Sequence, residues 1–144
     1  MCRLMIDTNI LLDTLDSRRP ESQAAREVID RCNGWGEFGM ACALSLKDVY
    51  YISKKARNET WARSAVGKLM GLVVVAPVDG EVCDGALRSN EPDFEDGIIR
   101  ACAELNGVDF IITRDKDAFA NSKIRSVTAS EYLAIANASQ HDSC

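Results

Sequence analysis

Four aspartates stand where an α/β chain could gather them: Asp7 after the apolar run Leu4-Met5-Ile6, Asp48 beside Ser45-Leu46-Lys47, Asp96 in the acidic cluster 93–96, and Asp115 after Phe110-Ile111-Ile112-Thr113. Carboxylates packed within a few ångströms repel one another and raise each other's pKa unless a cation neutralises them. A shared cleft would therefore imply a metal. All-oxygen ligands select hard Mg²⁺ or Mn²⁺, and Mg²⁺ bridges protein carboxylates to a substrate phosphate while keeping several waters. Phosphodiester hydrolysis is the matching chemistry. Each acid also has a plainer use. Asp48 lies three residues after Ser45, the spacing of a capping box, and Asp93, Glu95 and Asp96 would each favour a helix N-terminus by about 0.3–1 kcal/mol. Asp7 could cap a helix, and Asp115 and Asp117 could be turn residues beside Lys116.

Positioning these acids needs strands that end at them and helices that start at them. Leu4–Ile6, 38–43, 73–75 and 110–113 read as short apolar strands, with a weaker fifth at 124–127. Helices are predicted over 21–32, from Ser45, over 59–69, over 79–89, from the acidic cluster to Gly107, and from Ala129. Asn90-Glu91-Pro92 is a turn, and the glycine-rich stretch 33–39 separates a helix from the second strand. Strands alternating with amphipathic helices predict an α/β fold: one three-layer domain with a central parallel sheet of four or five strands, flanked by helices. In such sheets the ligand crevice lies outside the carboxyl ends of the strands. Asp7, Asp48, Asp96 and Asp115 are all expected at that edge.

With 144 residues, 47% of them hydrophobic and 27% charged, the chain has the size and composition of one globular domain. That domain is expected over residues 1–137, with a polar tail at 138–144. No apolar stretch approaches the length of a membrane span and no secretion signal is visible, so a cytoplasmic location and six reduced cysteines are expected. The cysteines form no C-x-x-C pair and the single histidine, His141, falls in the tail, which argues against zinc. A net charge of −5 argues against nucleic-acid binding through bulk electrostatics. Local cations must do that work, and Lys47, Lys54, Lys55, Arg57 and Arg114 are the candidates. Tyr50 and Tyr51, at helical spacing with Val49 and Ile52, are expected in the core rather than stacked on a base.

The opening MIDTNILLD, the segment SLKDVYYI and the run DFEDGIIRACAELNGVDFIITRDKDAF resemble the four successive motifs of PIN-domain ribonucleases, which include VapC-like toxins of toxin–antitoxin pairs. The resemblance covers nearly the whole chain. It implies an endoribonuclease that hydrolyses RNA through a Mg²⁺- or Mn²⁺-bound water, with Asp7, Asp48, Asp96 and Asp115 as the catalytic metal-binding acids. Asn9, Thr113 and Glu95 would support them. The family commonly carries Glu at its second acid, so the shorter Asp48 is expected to reach a metal through a water. The resemblance further implies an RNA substrate, an antitoxin that inserts a basic residue among the acids, and a homodimer. The helical surface around Tyr50–Ile52 and Trp61 is the expected place for subunits to meet. Two other acid-rich α/β classes fit less well: strand three ends in Pro77 where a phospho-receiver needs a phosphorylatable Asp, and Asn9 stands where a haloacid-dehalogenase-like phosphatase needs a second Asp. The remaining rival is a PIN-like domain that binds RNA or protein through the same cleft without cutting.

Overall fold

The computed structural model describes residues 2–34 and 36–139; of the tail expected at 138–144, residues 140–144, with His141, lie outside the described residues. Five parallel strands form one sheet in the order β3-β2-β1-β4-β5. They are β1 (Cys2–Ile6), β2 (Glu37–Cys42), β3 (Val74–Ala76), β4 (Phe110–Ile112) and β5 (Arg125–Val127). The helices are α1 (Thr8–Leu15), α2 (Ser22–Cys32), α3 (Ala43–Ala56), α4 (Glu59–Met70), α5 (Gly80–Arg88), α6 (Phe94–Leu105) and α7 (Ala129–Ala138), with a 3-10 turn at Lys116–Phe119. The expected three-layer α/β domain is what the chain forms.

The middle of the sheet explains its strand sequences. Leu4, Met5 and Ile6 of β1 are fully buried because helices cover both faces, and each buried side chain of this kind contributes roughly 1.5–3 kcal/mol. Alternation then sorts the residues. Leu4, Ile6, Ala41, Ile112 and Val127 join the core with α1, α2, α3 and α7, whereas Met5, Met40, Cys42, Ala76 and Ile111 join the core with α5 and α6. At the end of α6, Gly107 adopts φ 60°, and the Val108 amide donates back to the Ala103 carbonyl at 3.3 Å. That left-handed cap stops the helix and aims the chain into β4.

Three expectations are corrected. Helix α3 starts at Ala43 with Cys42 as its N-cap, not at Ser45, because the strong helix formers Ala43 and Leu44 follow β2 directly. The Ser45–Asp48 capping box therefore does not exist: Ser45 is buried and accepts from the Thr8 hydroxyl at 2.9 Å, and Asp48 stands in the second turn. Tyr51 is not core but 69% exposed. Free thiols are present at Cys32, Cys42, Cys83 and Cys102, while Cys2 is disulfide-bonded.

The contact between α2 and β2 is tight at Gly39. A Cβ there would stand 2.6 Å from the Cys32 Sγ and 3.0 Å from its Cβ, closer than real carbon atoms approach. Gly39→Ala is expected to destabilise the fold by about 2 kcal/mol through overpacking, and Cys32→Ala in the same chain should restore most of the loss. Denaturant midpoints of the two single variants and the double variant measure the coupling; an additive result would place the strain elsewhere.

Candidate metal and phosphate cleft

The strand order reverses between β1 and β4, and a crevice opens there beyond the carboxyl ends, as the topology of open parallel sheets dictates. A cleft of about 530 Å³ occupies this position, lined by Asp7, Asn9, Asp48, Glu95, Asp96 and Asp115 together with Lys47 and Tyr51. Thr113 stands directly behind it. All seven residues singled out in the sequence thus come to one place, from four separate segments.

Asp7 is the fixed point. It follows β1 and N-caps α1, its Oδ1 accepting from the Thr8 amide at 2.8 Å. Its Oδ2 accepts from the Thr113 hydroxyl at 2.7 Å and from Asn9 Nδ2 at 3.3 Å. The Thr113 oxygen in turn accepts from the Asp115 amide at 3.0 Å, and Asn9 Oδ1 accepts from the Arg114 amide at 3.2 Å. Thr113 and Asn9 therefore join the ends of β1 and β4 and hold two acids in register. Asp115 also caps the 3-10 turn by accepting from the Ala118 amide at 3.3 Å. Cap and cleft residue are the same side chain.

On the opposite wall, Asp93 caps α6 by accepting from the Glu95 and Asp96 amides at 2.8 and 3.4 Å. Glu95 meets Asp48 there. A hydrogen bond with Asp48, then burial, then the charges of Asp48 and Asp93 push the Glu95 carboxyl up to about 7. Burial, followed by the charges of Asp93, Asp7, Asp115 and Glu91, pushes Asp96 up to about 6. Asp7 is raised chiefly by its burial, against the lowering effect of Thr113 and Thr8. Glu95 is thus a full member of the acid group rather than a neighbour of it.

Lys47, read in the sequence only as a possible phosphate contact, pairs with Asp48 at 3.3 Å and lies 5.7 Å from the Tyr51 ring centre. Asp7, Asp96 and Asp115 have no ion-pair partner among the described residues. The donor set is all oxygen and short of positive charge, which suits a hard divalent cation. Among the described residues no three of these side chains are gathered tightly enough to form a ready-made metal cage; the acids surround a common space that a cation would draw them into.

Sequence reasoning missed Asp13. It is fully buried on α1, its Oδ1 bound by Arg19 Nη1 at 3.2 Å and its Oδ2 by Arg114 Nε at 2.8 Å. The available signal was an aspartate at helical spacing with the buried Ile10 of the DTNILLD segment, followed by basic residues free to fold back on it.

The raised pKa values fix a pH dependence. Between about pH 4 and pH 7 the folded chain holds protons on Asp96 and Glu95 that the unfolded chain has released, so apo stability is full below that window and falls as pH rises through it. Divalent ions should reverse the slope, since metal and proton compete for the same oxygens. Urea midpoints of wild type and Asp96→Asn across that range, with and without Mn²⁺, test this. A wild-type slope identical to the variant's would remove Asp96 from the account.

The sheet order is that of an open parallel α/β fold with an acid-lined cleft at its switch point. The PIN domain profile matches residues 3–117, and the chain belongs to the PIN domain family. Similar solved structures include a toxin–antitoxin complex from Klebsiella pneumoniae, 24% identical over 88% of this chain and 97% of that one, with a TM-score of 0.66. DNA-bound VapBC from Salmonella typhimurium is 17% identical over 90% and 99% of the two chains, TM-score 0.69. VapC20 of Mycobacterium tuberculosis, a toxin that cleaves the sarcin-ricin loop, is 17% identical over 82% and 94%, TM-score 0.66. No curated protein matches the chain significantly. No helix among the described residues is long and apolar enough to cross a membrane.

Proposed function

We propose that this PIN-domain chain is a metal-dependent endoribonuclease that hydrolyses RNA phosphodiester bonds and acts in the cytoplasm as the toxin of a toxin–antitoxin pair. The observation that carries the reading is the convergence of Asp7, Asp48, Glu95, Asp96 and Asp115 on one cleft with too little positive charge to neutralise them. Asp7, Asp96 and Asp115 would hold Mg²⁺ or Mn²⁺ directly, and Asp48, occupied by Lys47 and Glu95, would reach it through a water. When bound, such an ion supplies Lewis acidity to the phosphate and to water. The chain's own groups do the rest. Thr113 and Asn9 keep Asp7 and Asp115 from turning away, and Glu95, pushed up to about 7 by its hydrogen bond with Asp48 and by burial, exchanges a proton near neutral pH. Glu95 can accept a proton from the attacking water or return one to the departing 3′-oxygen, leaving a 5′-phosphate on the other product.

The solved toxin–antitoxin relatives support an antitoxin partner, whose basic residue would enter among the unpaired acids; a homodimer is part of the same reading. Purified protein given RNA and Mn²⁺ should yield fragments with 5′-phosphate and 3′-hydroxyl ends, and EDTA should stop the reaction. The Lys47–Asp48 ion pair favours one other outcome, a domain that binds RNA without cutting it. RNA retained intact in Mn²⁺ would decide for that reading.

A further inference from the structure

A second cavity, of about 110 Å³, lies beside the acid cleft between α1, α3 and α4. It shares Leu12 and Ile52 with the cleft, so the two form one continuous surface. Trp61 and Arg57 stand on one wall, with the Arg57 guanidinium 5.1 Å from the Trp61 ring centre. Arg18, Arg19 and Asp16 stand on the other, with Arg18 paired to Asp16 at 3.0 Å. Arg57 has no ion-pair partner among the described residues, whereas Arg19 is held by the buried Asp13, whose other oxygen holds Arg114 beside the cleft. One inaccessible carboxylate therefore fixes a cation on each side of the boundary between the two cavities. The chain as a whole is acidic at −5, and around this ring Arg57 is the cation that no carboxylate among the described residues pairs.

We infer that this cavity is a nucleotide subsite: it takes the base and phosphate of the RNA residue next to the bond placed over the acids. The inference rests on the ribonuclease reading and adds to it where the strand runs. A base stacked on Trp61, with Arg57 and Arg19 on its phosphate, is the usual pairing of aromatic surface and cation in single-strand recognition. An acidic peptide is the competing occupant.

The test uses full-length protein carrying Trp35→Phe, which leaves Trp61 as the only one of the two tryptophans, and Asp96→Asn to prevent turnover. Adding oligouridylate should quench Trp61 emission saturably. Arg57→Gln, at an exposed position, should weaken that binding by about tenfold, the loss of roughly one stacked or cation-held base. In the cleaving protein, Trp61→Leu should raise KM by a similar factor with kcat little changed, and Trp61→Phe should restore it. If wild type cleaves RNA but Arg57→Gln and Trp61→Leu cleave with unchanged KM, the subsite is overturned and the ribonuclease reading stands. If a poly-glutamate peptide quenches Trp61 and oligouridylate does not, the cavity belongs to a protein partner and the subsite is likewise overturned. If wild type neither binds nor cleaves RNA, both fall together.

Discussion

Replacing Asp96 by asparagine is expected to lower RNA cleavage by about a thousandfold, while the apo protein stays folded and gains about 1 kcal/mol of stability. The two effects have one cause. Asp96 stands at the first turn of α6, where burial and then the charges of Asp93, Asp7, Asp115 and Glu91 raise its pKa to about 6 from an ordinary 3.8. At neutral pH that shift would correspond to about 3 kcal/mol of strain in a dry site. The side chain is only partly buried, so solvent screening reduces it to about half. Loss of a favourable charge at the helix N-terminus subtracts about 0.3–1 kcal/mol more. A net gain remains. The same substitution removes a charged oxygen from the place where a cation would bind, so Mn²⁺ affinity should fall with activity. Cleavage assays, Mn²⁺ titration by calorimetry and thermal melts of the apo protein provide the three readouts. Stability reduced by more than about 1 kcal/mol would mean that Asp96 is held for its helix, and undiminished cleavage would remove it from the site.

Asn9 and Thr113 were singled out through the resemblance to PIN-domain ribonucleases, and both bond to the Asp7 carboxylate. Asp7, Asp96 and Asp115 were legible because strand ends and helix starts in a parallel sheet all face one way. What could not be read was set by contacts between distant segments. The early start of α3 moved Asp48 one turn inward and replaced a local cap with the Thr8–Ser45 hydrogen bond. Glu95 gained its place through its hydrogen bond with Asp48, at the helix start that Asp93 caps. Tyr51 misled for the opposite reason: its spacing fits an apolar stripe, yet α3 buries Leu46 and Val49 and leaves Tyr51 facing the cleft.

Asp13→Asn should cost about 3 kcal/mol, the largest loss of stability expected from any near-isosteric change in this chain. Asp13 has no solvent exposure and spends both carboxylate oxygens on arginines, one from the loop before α2 and one from the turn after β4. Asparagine keeps the volume and one acceptor, but its amide nitrogen would point a donor at a guanidinium that has only donors. The arginines are 34% and 38% exposed at their side chains, so they can turn partly to water. That escape keeps the cost below the upper end for a broken buried pair, about 5 kcal/mol. Arg114 would leave the cleft rim as it turned, and because its backbone amide is held separately by Asn9, Asp115 should keep its place. Activity of the folded fraction should therefore fall through KM rather than kcat. Urea unfolding with steady-state cleavage on the same samples distinguishes the cases. A loss under about 1 kcal/mol would show that the two ion pairs are replaceable by water, and a fall in kcat at unchanged KM would show that Asp13 acts on the acids rather than on the substrate's phosphates.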